Sequence, residues 1–137
     1  MRRPAFTLIE VMLICIVLAI VSGIASPRIR ATMDSFAVEG AARDVANTFA
    51  LARLAALRNG GADVRIDSVV LSVHAGGHVV RALNVASSHA VRMRATVALV
   101  RYAATGLGVG VSNGTIYLSR GSAADTVVIS RLGRVRR

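Results

Sequence analysis

Val11-Met12-Leu13-Ile14-Cys15-Ile16-Val17-Leu18-Ala19-Ile20-Val21 is an unbroken run of eleven apolar residues. Extended outward to Phe6 and Ala25, it becomes twenty residues containing a single charge, Glu10. As a helix, twenty residues rise about 30 Å, the thickness of a bilayer's hydrocarbon core. Arg2 and Arg3 precede the run, and Pro27, Arg28 and Arg30 follow it. A cleaved export signal, a plain anchor and a processed anchor all fit this outline. The basic start and the small-x-small Gly23-Ile24-Ala25 suit a cut before Ser26 and a secreted basic β-protein. Glu10 argues against that reading. A carboxylate at the centre of a membrane helix costs roughly 2.5–3.5 kcal/mol, less near the interface, and an export signal gains nothing from it. The plainer role for Glu10 is an interfacial first-turn acid favoured by the helix macrodipole. Charge counting does not orient the segment, because the amino terminus with two arginines opposes Arg28, Arg30 and Asp34.

With this segment subtracted, 137 residues leave room for one domain. Apolar residues at 54% and charged residues at 18% exclude a disordered or collagen-like chain. Aromatics are 4% and Trp is absent, so the core is built from Val, Leu, Ile and Ala. Seventeen basic residues, all Arg, face seven acidic ones, for a formal charge of +10. That balance favours polyanionic partners such as nucleic acid or lipid headgroups, although a GC-rich codon bias accounts for the all-Arg usage equally well. One Cys excludes an internal disulfide framework and a Cys-based zinc site. Cys15 follows the bulky Ile14, unlike a lipid-attachment cysteine, and reads as a buried hydrophobe.

From Arg28 the pattern turns amphipathic. Met33, Phe36, Ala41, Val45, Phe49, Ala52 and Ala56 recur at helical steps, and Asn59-Gly60-Gly61 stops the helix. Residues 6–58 are thus expected as one helix about 80 Å long. Beyond Gly61 the period becomes two. Val64 and Ile66 alternate with Arg65 and Asp67, a turn or bulge near Asp67-Ser68 resets the phase, and Val69, Leu71 and Val73 then align. Gly76-Gly77 marks a hairpin before a strand from His78 to Val85. Val91, Met93, Ala95, Val97 and Leu99 form one face of a long strand, with Arg92 and Arg94 on the other. Thr115–Leu118 and Thr126–Ser130 complete the strands, with a loop from Gly121 to Asp125. The expected fold is α+β, a long N-terminal helix packed on an antiparallel sheet or small sandwich.

Phe6-Thr7-Leu8-Ile9-Glu10, after a short basic leader and opening the apolar run, resembles the prepilin processing site of type IV pilins and type II secretion pseudopilins. The likeness implies a leader of residues 1–5, a peptidase cut between Ala5 and Phe6, and N-methylation of Phe6. It also implies that Glu10 pairs with a neighbouring subunit's mature amine during assembly. A buried charge meeting a partner charge fits that role. Ala5 stands where the family usually has Gly. Pro27 matches the helix kink of pilins. The tail, Gly114-Thr115-Ile116-Tyr117-Leu118 through Gly133-Arg134-Val135-Arg136, resembles the GspH/FimT branch. Under this resemblance, residues 6–26 form the transmembrane and filament-core helix, 27–60 an amphipathic helix, and 61–137 a periplasmic β-domain. The chain is then a single-pass inner-membrane protein, a minor pseudopilin of a type II secretion pseudopilus. Its partners are other subunits through the N-terminal helix, the prepilin peptidase and the inner-membrane assembly platform.

No catalytic constellation stands out. Gly106-Leu107-Gly108-Val109-Gly110 lacks dinucleotide-site spacing and reads as a Gly-rich strand with bends. His74 and His78 have two glycines between them, His89 is isolated, and neither a metal nor another cofactor is expected. Arg131, Arg134, Arg136 and Arg137 crowd the C-terminus, and Arg92 and Arg94 share one strand face. Guanidinium clusters bind phosphates without reading sequence. Gly133 to Arg136 also matches a Gly-Arg-x-Arg element associated with DNA capture in FimT-like minor pilins. The alternative function is therefore a minor type IV pilin that binds DNA for natural transformation, and the plain one is a solvated or filament-contacting basic tail.

Overall fold

The computed structural model describes residues 7–110 and 112–137. The chain divides into two compact units, residues up to Met33 and Asp34–Arg137. Helix α1, Leu8–Asn59, contributes to both. In the first unit Thr7 caps the helix: its Oγ1 accepts from the Glu10 N–H at 3.3 Å, satisfying one of the orphan donors of the first turn. Pro27 lies inside the helix and removes one backbone donor, as a proline must.

In the second unit, Val38, Ala41, Ala42, Val45, Phe49, Ala52, Ala55 and Ala56 are the buried stripe of α1. Five of these eight are alanines, so the helix presents a smooth, narrow ridge on which sheets can approach closely, with Phe49 as the one large plug. Buried Thr48 satisfies its hydroxyl by donating to the Asp44 carbonyl at 2.8 Å. The helix stops where expected: Gly60 takes φ +78°, and the Asn59 amide donates to the Ala55 carbonyl. The stripe is shorter than the periodicity implied. Met33 and Phe36 are 62% and 68% exposed, because the buried stripe begins only at Val38.

The strands are β1 (Gly61–Ile66), β2 (Val70–Ala75), β3 (His78–Asn84), β4 (Arg92–Ala95), β5 (Leu99–Ala103), β6 (Gly108–Val109), β7 (Gly114–Arg120), β8 (Ala123–Ile129) and β9 (Val135–Arg136). They form two antiparallel sheets, ordered β3-β2-β1-β5-β6 and β4-β7-β8-β9. One continuous core joins the helix stripe to Val64, Leu71, Val73 and Val100 of the first sheet and Ile116, Leu118, Val127 and Ile129 of the second. The Asp67-Ser68 turn and the Gly76-Gly77 hairpin form as the sequence indicated.

Four expectations give way. The strand expected over Val91–Leu99 breaks after Ala95, and the chain crosses to the other sheet. At this corner Thr96 N–H donates to the Thr115 carbonyl, while Ile66 N–H donates to the Ala98 carbonyl. Strands that change sheets turn at such bends. The expected loop Gly121–Asp125 shrinks to Gly121-Ser122, with Arg120 opposite Ala123 and Gly121 at φ +55°. Val85 ends no strand: it opens a short helix, α2 (Val85–His89), capped by the Asn84 side chain on Ser87 N–H. The glycine-rich segment provides only the two-residue β6.

Phe49→Ala should remove about 3–5 kcal/mol of stability by opening a cavity between α1 and the sheets, whereas exposed Phe36→Ala should stay within about 0.5 kcal/mol. Urea unfolding of the detergent-solubilised chain followed by circular dichroism checks both; equal losses would contradict this core.

Candidate functional site

The N-terminal features come first. The proposed cleavage and methylation positions, Ala5 and Phe6, lie outside the described residues, as do Arg2 and Arg3. Glu10 is exposed within the chain. Around it, Val11, Leu13, Ile14, Val17, Leu18, Ile20, Val21 and Ile24 are between 46% and 63% exposed, and no part of the most apolar window is buried by the chain itself. α1 is long and apolar enough to cross a membrane. Cys15, expected to be buried, is exposed for the same reason: the chain folds nothing over this segment.

The arginines sort into paired and unpaired sets. Three acids of α1, Asp34, Glu39 and Asp44, each clamp a different part of the second unit. Asp34 Oδ1 meets Arg120 Nε at 2.9 Å, and Arg120 also donates from Nη1 to the His89 carbonyl. Asp44 Oδ2 lies 2.9 Å from His89 Nε2, so His89 is isolated in sequence but not in space. Glu39 Oε1 accepts from Arg43 at 2.7 Å and from the C-terminal Arg137 at 3.2 Å, while Arg137 Nε also reaches Asp125 Oδ2 at 2.9 Å. These two guanidinium groups hold the Glu39 carboxyl below the usual carboxylate range. Arg137 therefore has a structural use that the other C-terminal arginines lack. Arg101 sits 3.8 Å from Asp63.

Arg92, Arg94, Arg131, Arg134 and Arg136 have no ion pair among the described residues and are all exposed. The structure does not gather them into one cluster. Arg131 and Arg134 belong to the turn between β8 and β9, closed by Ser130 N–H to the Arg134 carbonyl and Arg134 N–H to Ser130 Oγ. Arg92 and Arg94 lie on edge strand β4, and Arg136 on β9 at the opposite edge of the same sheet. The Gly-Arg-x-Arg element is anchored from below. The buried Tyr102 hydroxyl donates to the Gly133 carbonyl at 2.9 Å, Gly133 takes φ +75°, and a side chain there would collide with the Tyr102 ring. Glycine at 133 is thus required by both backbone and packing.

Sequence reasoning missed the three α1 clamps, since nothing local marks which acid meets which distant arginine or histidine. It also missed Ser72 Oγ, 3.1 Å from His74 Nε2 on the outer face of β2. That contact is a hydrogen bond between half-buried neighbours on one strand, with no acid hydrogen-bonded to the imidazole among the described residues, and builds no nucleophile. No group of three or more metal-ligating side chains occurs among the described residues.

Burial pushes the Tyr102 phenol up to about 12, against the opposing pull of Arg53. Its folded value lies above the ordinary 10, so its contribution to stability is complete below pH 10 and declines as pH rises toward 12. Melting temperatures measured across that window should fall less steeply for Tyr102→Phe than for the native chain. At neutral pH the variant should be about 1–3 kcal/mol less stable, having orphaned the Gly133 carbonyl. An unchanged alkaline slope would contradict the burial argument.

No protein-family model matches the chain, and no curated protein sequence matches it. Its architecture is nevertheless shared with solved structures. Two crystal forms of the type IV minor pilin FimU from Pseudomonas aeruginosa align with it. The first gives a TM-score of 0.60 at 16% identity, covering 72% of this chain and 86% of FimU. The second gives 0.58 at 17% identity, covering 72% and 90%. A long N-terminal helix packed against C-terminal antiparallel sheets, shared across nearly all of that chain, gives this protein the fold of a type IV pilin.

Proposed function

We propose that the protein is a minor pseudopilin, a non-catalytic subunit that helps build the periplasmic pseudopilus of a type II secretion system. The observation that carries this reading is the apolar surface of Val11–Ile24, left uncovered by its own chain. Such a surface needs lipid before assembly and the helices of other subunits afterwards. The Phe6-Thr7-Leu8-Ile9-Glu10 sequence supports removal of residues 1–5 and methylation of Phe6 by the prepilin peptidase. Glu10, held at the helix entrance by the Thr7 cap, is the group that a neighbouring subunit's new amine neutralises, setting axial register. The inner-membrane assembly platform supplies the site of insertion, and residues 61–137 face the periplasm.

A second reading, a minor type IV pilin that binds DNA, is favoured by one specific observation. Five exposed arginines of the β8–β9 turn and the second sheet lack acid partners among the described residues, whereas Arg137 and Arg120 are consumed in clamps. Under this reading Arg131, Arg134 and Arg136 take phosphates, with Arg92 and Arg94 as an outlying pair.

Mass spectrometry of the membrane-extracted protein should show a chain beginning at methylated Phe6. A chain beginning at Ser26, or one retaining residues 1–5, would remove the pilin-type reading. Glu10→Ala, as the sole copy in the cell, should still insert but fail to enter filaments, scored by cross-linking to other subunits. Gene neighbourhood separates the two readings: secretion genes for the first, pilus and competence genes for the second.

A further inference from the structure

The outward side of the four-stranded sheet combines an exposed aromatic centre with basic edges. Cross-strand register fixes its rows. Arg94 lies opposite Tyr117, which lies opposite Thr126. Arg92 lies opposite Ser119, then Ala124. Thr115 lies opposite Val128, then Arg136. Side chains alternate along strands, so these residues share the face turned away from buried Ile116, Leu118, Val127 and Ile129. Tyr117 and Val128 are 50% and 44% exposed at the middle of the face, and the three arginines stand at its two edges. The only acid in these four strands, Asp125, pairs in register with buried Leu118 on the other side and is held by Arg137.

We propose that this face is a platform for single-stranded nucleic acid, with one base stacked on the Tyr117 ring and flanking phosphates on Arg92 or Arg94 at one edge and Arg136 at the other. The proposal rests on the DNA reading above and narrows it to a strand type and a surface.

Strands lie about 4.8 Å apart, so three steps across the sheet separate the arginine edges by roughly 14 Å, a span of a few nucleotides. Unpaired guanidiniums on an acid-free face provide attraction for a polyanion that no internal carboxylate offsets. An exposed aromatic between them offers a π-face that any base satisfies. A duplex keeps its bases stacked inside and meets only the arginines. An acidic peptide likewise leaves the Tyr117–Val128 centre unused. The single strand is the polyanion that uses both edges and the middle.

Fluorescence anisotropy with the full chain in a non-ionic detergent, at low ionic strength, tests this with three probes: oligo(dT), a duplex of the same length, and polyglutamate. Oligo(dT) should bind more tightly than the duplex. Tyr117→Ala should weaken oligo(dT) binding about 5- to 150-fold, the value of one stacked base, while leaving duplex binding unchanged, and Tyr117→Phe should restore it. Arg92→Ala with Arg94→Ala should lower the slope of log affinity on log salt by up to about 1.4, at about 0.7 for each phosphate no longer neutralised. Tyr117 is a half-exposed side chain, and an unchanged melting temperature certifies each variant's fold. Duplex binding that depends on Arg134 and Arg136 but exceeds oligo(dT) binding, or indifference of oligo(dT) to Tyr117→Ala, overturns the platform and leaves the DNA reading standing. Polyglutamate displacing oligo(dT) at equal charge overturns the platform as well. Absence of binding to both nucleic acids overturns the DNA reading itself.

Discussion

An apolar helix surface that its own chain leaves bare is the constraint from which the rest follows. Ten large apolar side chains between Val11 and Ile24 remain 46% to 63% exposed. Left in water, each forgoes on the order of 1 kcal/mol of burial, a sum comparable with the whole stability of a small domain. Such a surface is stabilised by lipid or by packing against other helices. A charge placed at its head is tolerable only near the interface or beside an opposite charge. Thr7 shows how the entrance is built: the cap fixes where the helix begins and therefore where Glu10 sits along its axis.

The second unit solves a different problem with the same helix. Alanine is the best helix former, and it also keeps the buried ridge thin. One continuous stripe can therefore face two sheets, with Phe49, Val45 and Val38 as its larger buried side chains. Burial of small apolar side chains is not directional. The clamps from Asp34, Glu39 and Asp44 supply what packing lacks. Each reaches a different element, β7, the C-terminus and α2, and together they fix the helix in register. Individually, exposed pairs of this kind contribute little stability. Their value here is geometric.

The parts legible in the sequence were those written locally. Asn59-Gly60-Gly61, the Asp67-Ser68 turn and Gly76-Gly77 carry their conformations in their own residue types, and the period change at Gly61 marks where helix gives way to sheet. What failed was set by distant partners. Val91 to Leu99 alternates as a strand should, but nothing in it records that Thr115 and Ile66, on different sheets, claim its two halves. Phe36 has the right phase for the core stripe, yet it is 68% exposed. The candidate site divides in the same way. The Arg-rich tail was visible, while the diversion of Arg137 into Glu39 and Asp125, and the alignment of Tyr117 with Arg94, depend on register.

The clamps also decide where the net charge appears. The second unit holds six of the seven acids; four of them pair with Arg43, Arg101, Arg120 and Arg137, and a fifth, Asp44, is hydrogen-bonded to His89. The sixth, Asp67, is turned to its own Ser68. Carboxylates are thus placed where they hold elements together, and three of them lie on the helix. The other described arginines form no ion pair among the described residues, including those on the outer face of the four-stranded sheet. A uniformly mixed surface of the same composition would present a weak, alternating potential. Sorting the acids into the scaffold converts an excess of +10 into local fields of one sign. The same residues that fix the helix on its sheets therefore leave the opposite face of one sheet positive, which makes the electrostatics of the surface a consequence of how the fold is held.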